Sequence, residues 1–134
     1  MSYSICATAT PEKEGEIIFN ETSASFGITT SSDQVLPSPA DVFLGALAAC
    51  ILKNVQRFSG MMKFEYQEAN VTVSATYAQK PSRLENITYE LVILSSEEKI
   101  NTPLLKRNLS KFGTIYNMIA KATKVSGTVT HNRN

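Results

Sequence analysis

The sequence has little material for several common chemistries. It holds only two cysteines, Cys6 and Cys50, and a single histidine, His131. Two cysteines so far apart make neither a disulfide framework nor a CxxC redox motif. One histidine, two distant thiols and scattered carboxylates form no metal-ligand array, so no metal is expected. The six glycines never cluster, which removes phosphate loops and dinucleotide fingerprints, and no cofactor is expected. A formal charge of +1 supplies no bulk field toward nucleic acid or an acidic membrane, and neither is expected as a partner. No segment reads as a membrane span, and the start MSYSICATATPEKEGE reaches charge too early for a signal peptide. The expected location is therefore cytoplasmic, where thiols stay reduced.

What remains is an ordinary folded chain with light charge. At 134 residues, 43% apolar and 19% charged, it fits a single domain over 1–134 that can bury a real core. Low charge on a chain this small also points to apolar surface covered by a second subunit. Ile5, Ala7 and Ala9 outline a first strand within Ser2 to Thr10. A turn through Gly15 leads to a strand with Ile17, Ile18 and Phe19, and a third extended piece covers Ser25 to Thr29. Further on, NVTVSATY places Val71, Val73 and Ala75 on one face. After a turn at Gln79 to Ser82, LENITYELVIL alternates Ile87, Tyr89, Leu91 and Ile93 against Thr88, Glu90 and Val92, which predicts a β-hairpin. Thr102 before Pro103 reads as a helix cap, and Gly113 as the end or kink of that helix. TIYNMIAKATK gives another short helix with Ile115, Met118 and Ile119 inward. VSGTVT closes as a strand, with His131 to Asn134 frayed at the surface. Strands, long helix, two strands, two short helices and a strand argue α+β.

The long helix is the most informative stretch. In SPADVFLGALAAC, Ser38 and Pro39 supply a capping hydroxyl and a first-turn proline, and Asp41 suits the positive end of the dipole. No breaker except Gly45 falls between Asp41 and Phe58, and the first turns are apolar almost all round, the mark of a buried central helix; Lys53, Gln56 and Arg57 restore a solvated side only near the end, with Ser59-Gly60 as the stop. Cys50 sits in the middle and has two readings: a small core residue, or a reactive thiol. It is too deep in the helix to draw on the dipole, so a thiolate there needs donors from elsewhere in the fold. Cys6 reads as an inert strand residue. Asp41, Glu65, Glu68 and Glu85 are accounted for by capping and solvation, and Lys53 with Arg57 by a solvated helix face.

The proline-initiated helix SPADVFLGALAAC, the V-x-V strand after it and the tail KVSGTVT resemble the OsmC/Ohr family of osmotically inducible and organic hydroperoxide resistance proteins. The likeness runs from about Gly27 to Val129. It implies an OsmC-like α+β fold, an antiparallel sheet with a long buried central helix, in an intertwined homodimer. It also implies thiol-dependent reduction of organic hydroperoxides, with Cys50 as nucleophile and Asp41 in the place of an acidic helper. The helper glutamate of the hydroperoxide-resistance branch falls on Ala40. The resolving cysteine falls on Thr114, and no arginine precedes Arg57; Lys13 lacks the planar fork an arginine would bring. Two functional classes therefore stand. One is a peroxidase or oxidation sensor working through Cys50 and an external dithiol reductant. The other is a non-catalytic dimeric binding protein that keeps the family cleft for a small apolar ligand.

Overall fold

Ser38 and Asp41 start the long helix by capping each other. The Asp41 backbone N–H donates to Ser38 Oγ at 3.2 Å, and the Ser38 N–H and Oγ donate to Asp41 Oδ2 at 2.9 and 3.0 Å. This reciprocal box satisfies two groups that the first turn leaves without helical partners. The helix, α1, runs Pro39–Met62 in the computed structural model, which describes residues 1–134. It passes straight through the expected stop at Ser59-Gly60. Ser59 turns its hydroxyl back to the Gln56 carbonyl at 2.7 Å, and the terminator is Lys63, whose φ of 58° is left-handed. The Phe64 N–H then bonds the Ser59 carbonyl at 3.0 Å, a Schellman closure with a lysine where glycine is usual.

The chain divides into two compact units, Met1–Phe43 and Leu44–Asn134. The first holds β1 (Cys6–Thr8), β2 (Gly15–Ile18) and β3 (Ser23–Phe26), an antiparallel meander in that order, followed by a 3-10 turn at Ser32–Gln34. The third strand ends at Phe26, short of the expected Thr29, because Ile28 and Thr29 give their N–H groups to Ser32 Oγ instead. Within this unit only Gly15 is buried; Phe26 is its register partner and lays its ring against the bare Cα. Ile5, Ile18, Phe19 and Ile28 stay exposed.

The second unit contains the core. Strands β4 (Glu68–Ala78) and β5 (Arg83–Ser95) form the expected hairpin, with a register shift between Ser74 and Thr76. Helices α2 (Thr102–Phe112) and α3 (Thr114–Ala120) follow, then β6 (Val125–Arg133), which joins the free side of β5. Strand β6 runs parallel to β5. The sheet is therefore mixed, a correction to the antiparallel sheet expected; the two intervening helices supply the long crossover that a parallel neighbour requires. Alternation on β5 turns Ile87, Tyr89, Leu91 and Ile93 inward onto Leu47, Ile51, Val55 and Phe58 of α1, Leu105 and Leu109 of α2, and Tyr116 and Ile119 of α3. Val71, Val73, Ala75, Val125 and Val129 extend that face.

Several local expectations change. The cap of α2 is Asn101, which accepts from the Leu104 N–H at 3.1 Å, and Thr102 is already helical. On α3, Tyr116 takes the inward place assigned to Met118, which is exposed. His131 belongs to β6 opposite Ile93, with Nε2 at 3.2 Å from the Ser95 carbonyl. Helix α1 buries one stripe only, Leu47, Ile51, Val55, Phe58 and Ser59, so the expectation of a wholly buried helix does not hold for the single chain. By length and composition alone α1 is apolar enough to cross a membrane, a test that the core helix of a soluble protein also passes.

Tyr89 gives the first test of this core. Its side chain is 2% exposed, its hydroxyl has no partner, and Tyr116 meets its ring edge-on at 6.3 Å. Burial, with a smaller contribution from Tyr116, pushes the phenol up to about 12. A phenol that ionises near 10 when unfolded and near 12 when folded adds stability below pH 10, which is lost as pH rises toward 12. Tyr89→Phe removes an unsatisfied hydroxyl and is expected to gain about 1 kcal/mol at neutral pH. It is also expected to flatten the alkaline loss, and urea titrations of both forms between about pH 8 and pH 11 check this. A variant less stable at neutral pH would mean that the hydroxyl is in fact satisfied.

Candidate functional site

Cys50 lies outside the fully buried stripe of α1. Leu47 and Ile51 flank it in sequence and are buried, whereas the cysteine is a free thiol in a half-buried position. Two groups of its own unit adjoin the sulfur. Asn54, one turn along, donates from Nδ2 to the Cys50 carbonyl at 2.9 Å, and the same nitrogen is 3.6 Å from Sγ. The Asn54 amide is thus a hydrogen-bond donor within reach of the sulfur.

The second neighbour comes from far along the chain. Gly113 joins α2 to α3, and a Cβ built on it would stand 3.5 Å from Cys50 Sγ. That same Cβ would crowd the Leu109 carbonyl at 2.8 Å and Tyr116 Cβ at 3.0 Å. Glycine thus allows the α2–α3 corner to close against the thiol. The Gly113 N–H donates to the Leu109 carbonyl, and the Gly113 carbonyl accepts from Asn117 N–H at 2.8 Å, which holds the corner. Thr114 follows as the exposed first residue of α3.

Asp41 has a different employment. Its carboxylate accepts from the Ser38 backbone and then from the Ser38 hydroxyl, and these bonds hold its carboxyl below the ordinary value. It lies in the first unit, Cys50 in the second. Cys6, in β1, is exposed and free. Sequence reasoning gave Asn54 no role and read Gly113 only as the end or kink of a helix. An i,i+4 amide beside a cysteine was a usable signal for the first; nothing in local spacing points to the second. No group of histidine, cysteine, aspartate and glutamate side chains is arranged to hold a metal ion.

A helix-borne thiol, held at the corner of two short helices beside a three-stranded mixed sheet, defines an α+β protein with one candidate reactive cysteine. The model of the OsmC-like protein family matches residues 31–127, and the chain belongs to that family. No curated protein matches the sequence closely enough to serve as a relative. Among solved structures, the chain is similar to an OsmC-like protein from Mycoplasma pneumoniae (TM-score 0.84, 17% identity, covering 98% of this chain and 97% of that one). It is also similar to an organic hydroperoxide resistance protein OsmC from Legionella pneumophila (TM-score 0.71, 14% identity, 96% and 97% covered). A third is the organic hydroperoxide resistance protein OhrB of Bacillus subtilis (TM-score 0.62, 18% identity, 95% and 98% covered). Identities this low establish a shared fold.

Proposed function

We propose that the protein is a cytoplasmic, homodimeric thiol peroxidase or oxidation sensor of the OsmC type, in which Cys50 reacts with small organic hydroperoxides. One observation carries this reading. Cys50 is not used in the core: the α1 stripe passes from Leu47 to Ile51, and the thiol stays half-buried beside an amide donor. Attack of the Cys50 thiolate on the terminal peroxide oxygen breaks the O–O bond. It leaves Cys–SOH and, with one proton, the alcohol. Asn54 is the group placed to stabilise the thiolate before attack. Asp41 is assigned the cap of α1, and through it the setting of the helix, instead of direct assistance.

The dimer follows from the uncovered apolar surface. In the first unit, Ile5, Ile18, Phe19, Ile28, Val35 and Phe43 are all at least 40% exposed in the single chain, and a three-stranded meander with no buried side chain needs another surface for stability. A second copy supplies it in this reading, with 1–134 acting as one OsmC-like domain.

Thr114 at the expected resolving position, and the lack of an arginine before Arg57, favour the other class, a binding protein for small apolar molecules. One experiment separates them. The reduced protein is given cumene hydroperoxide with a dithiol reductant, and peroxide loss is followed beside Cys50→Ser. The expected result is consumption that falls to the uncatalysed background in the variant, with one added oxygen on Cys50 by mass spectrometry. Equal consumption by both forms, or an unoxidised Cys50, would refute the peroxidase and sensor readings together.

A further inference from the structure

In the second unit charge is divided by element. From Leu44 onward α1 carries Lys53 and Arg57, and α2 carries Lys106, Arg107 and Lys111. These segments and α3 contain no aspartate or glutamate. The unit's carboxylates, Glu65, Glu68, Glu85, Glu90, Glu97 and Glu98, lie in strands and loops.

Two of the helix cations converge on one ring. The Arg57 guanidinium carbon is 5.3 Å from the Phe58 ring centre and 5.8 Å from that of Phe112, and Lys111 Nζ is 5.4 Å from the same Phe112 ring. The two phenylalanine rings stand 5.6 Å apart and hold this arrangement across α1 and α2. Neither cation has a carboxylate within ion-pair distance, for the chain's ion pair is Arg83–Glu85. Phe112 is 43% exposed. Two unanswered cations on a half-exposed aromatic ring suit a ligand with a carboxylate and a short apolar body. The patch and the thiol are linked through both chain segments. Phe112 directly precedes Gly113, the residue against Cys50 Sγ, and Arg57 follows Cys50 by two turns of α1, about 10 Å along its axis.

We infer that Arg57, Lys111 and Phe112 select the exchange partner of Cys50, a small thiol or disulfide bearing a carboxylate. The inference rests on Cys50 being a reacting thiol, but not on its reducing hydroperoxides. The chain offers little alternative: its one other thiol, Cys6, is on β1 of the first unit, and a threonine follows Gly113. As disulfide exchange the step needs no other oxidant: the Cys50 thiolate attacks R–S–S–R, giving Cys50–S–S–R and R–S⁻. Where a hydroperoxide has first oxidised Cys50 to the sulfenic acid, the return balances with two equivalents of acidic thiol. Cys50–SOH and R–SH condense to Cys50–S–S–R with loss of water. A second R–SH, as thiolate, attacks the R sulfur, giving R–S–S–R and the Cys50 thiolate, and its proton goes to solvent. The carboxylate of R takes no part in bond making; it is held by Arg57 and Lys111 while the body of R lies on Phe112.

The test uses charged disulfides on the reduced Cys6→Ser protein, so that only Cys50 can react. Dithiobis-nitrobenzoate is the anionic probe, dithiodipyridine the neutral one and cystamine the cationic one. Each rate is divided by that of a free cysteine amide under the same conditions, which removes intrinsic reactivity. For one negative charge near two cations roughly 10 Å from the thiol, the normalised rate of the anionic probe is expected about fourfold above that of the neutral one at about 10 mM salt. The preference should fall toward parity at about 0.5 M salt, with the cationic probe slowest at low salt. Arg57→Gln with Lys111→Gln should abolish it, while the neutral probe stays within about twofold of the parent and the melting curve shows a folded protein. Equal normalised rates, a preference that survives in the double variant, or a Cys50 inert to all three probes would each overturn the inference. Hydroperoxide consumption is read separately. Anion preference without consumption would keep this inference and sink the peroxidase; consumption without preference would do the reverse.

Discussion

Gly127→Val is expected to destabilise the protein by roughly 3 kcal/mol, the largest stability effect of any single substitution argued for this chain. Gly127 sits opposite Tyr89 in the parallel β5–β6 pairing, and a Cβ added to it would stand far inside contact distance of three carbons of the Tyr89 ring. The glycine is not demanded by backbone conformation, since no glycine in the chain has positive φ. The requirement is space. The ring cannot retreat easily, because Tyr89 is fully buried and Tyr116 packs edge-on against it. Valine, otherwise a good strand former, must therefore expel the tyrosine from its place or separate β6 from β5. At this chain length such a loss lowers the thermal midpoint by about 10 °C. Ser126→Val, at an exposed position next door, should stay within about 0.5 kcal/mol of the parent. Thermal and urea unfolding of the pair check the claim; a Gly127→Val protein as stable as the Ser126 control would show that Tyr89 does not pack over Gly127.

That contact also illustrates what the sequence could and could not disclose. The β5 alternation was readable because burial on one face of a strand has period two, and Ile87, Tyr89, Leu91 and Ile93 all face inward as expected. VSGTVT was readable as a strand, but its direction beside β5 depends on the route the chain takes through α2 and α3, which no residue of the strand records. At the end of α1, Gly60 looked like the stop because glycine favours the left-handed position. The fold instead places Lys63 there, since the buried Phe64 must follow the turn. The helix looked buried all round because its composition reflects every surface that it meets, whereas one chain covers one stripe. Cys50 was legible as the residue to test, and Asn54 was within reach as its i+4 neighbour. The Gly113 corner was not, because the contact joins segments that share no periodicity.

Thr114→Cys is expected to change the chemistry of Cys50 more than any other single substitution. Installed in the Cys6→Ser background, it should convert the oxidised protein into an intramolecular disulfide, seen as a loss of two hydrogens by mass. Turnover of cumene hydroperoxide with a dithiol reductant should rise by at least about tenfold, because a tethered thiol replaces one captured from solution. The geometric basis is the Gly113 corner. A Cβ there lies 3.5 Å from Cys50 Sγ, but Gly113 itself is a poor host because that atom would press on the Leu109 carbonyl at 2.8 Å. Thr114 is the next position, exposed at the head of α3, where a small shift of the first turn can bring the Cβ atoms to the roughly 3.5–4.5 Å that a disulfide needs. Met118→Cys supplies the comparison, being one turn further along α3 and 66% exposed. If dithiodipyridine closes the Thr114→Cys disulfide but hydroperoxide does not, the corner is built as described and the peroxidase reading fails. If Thr114→Cys closes no faster than Met118→Cys, the thiol does not face the α2–α3 corner. The role assigned to Gly113 in shaping the site then falls with it.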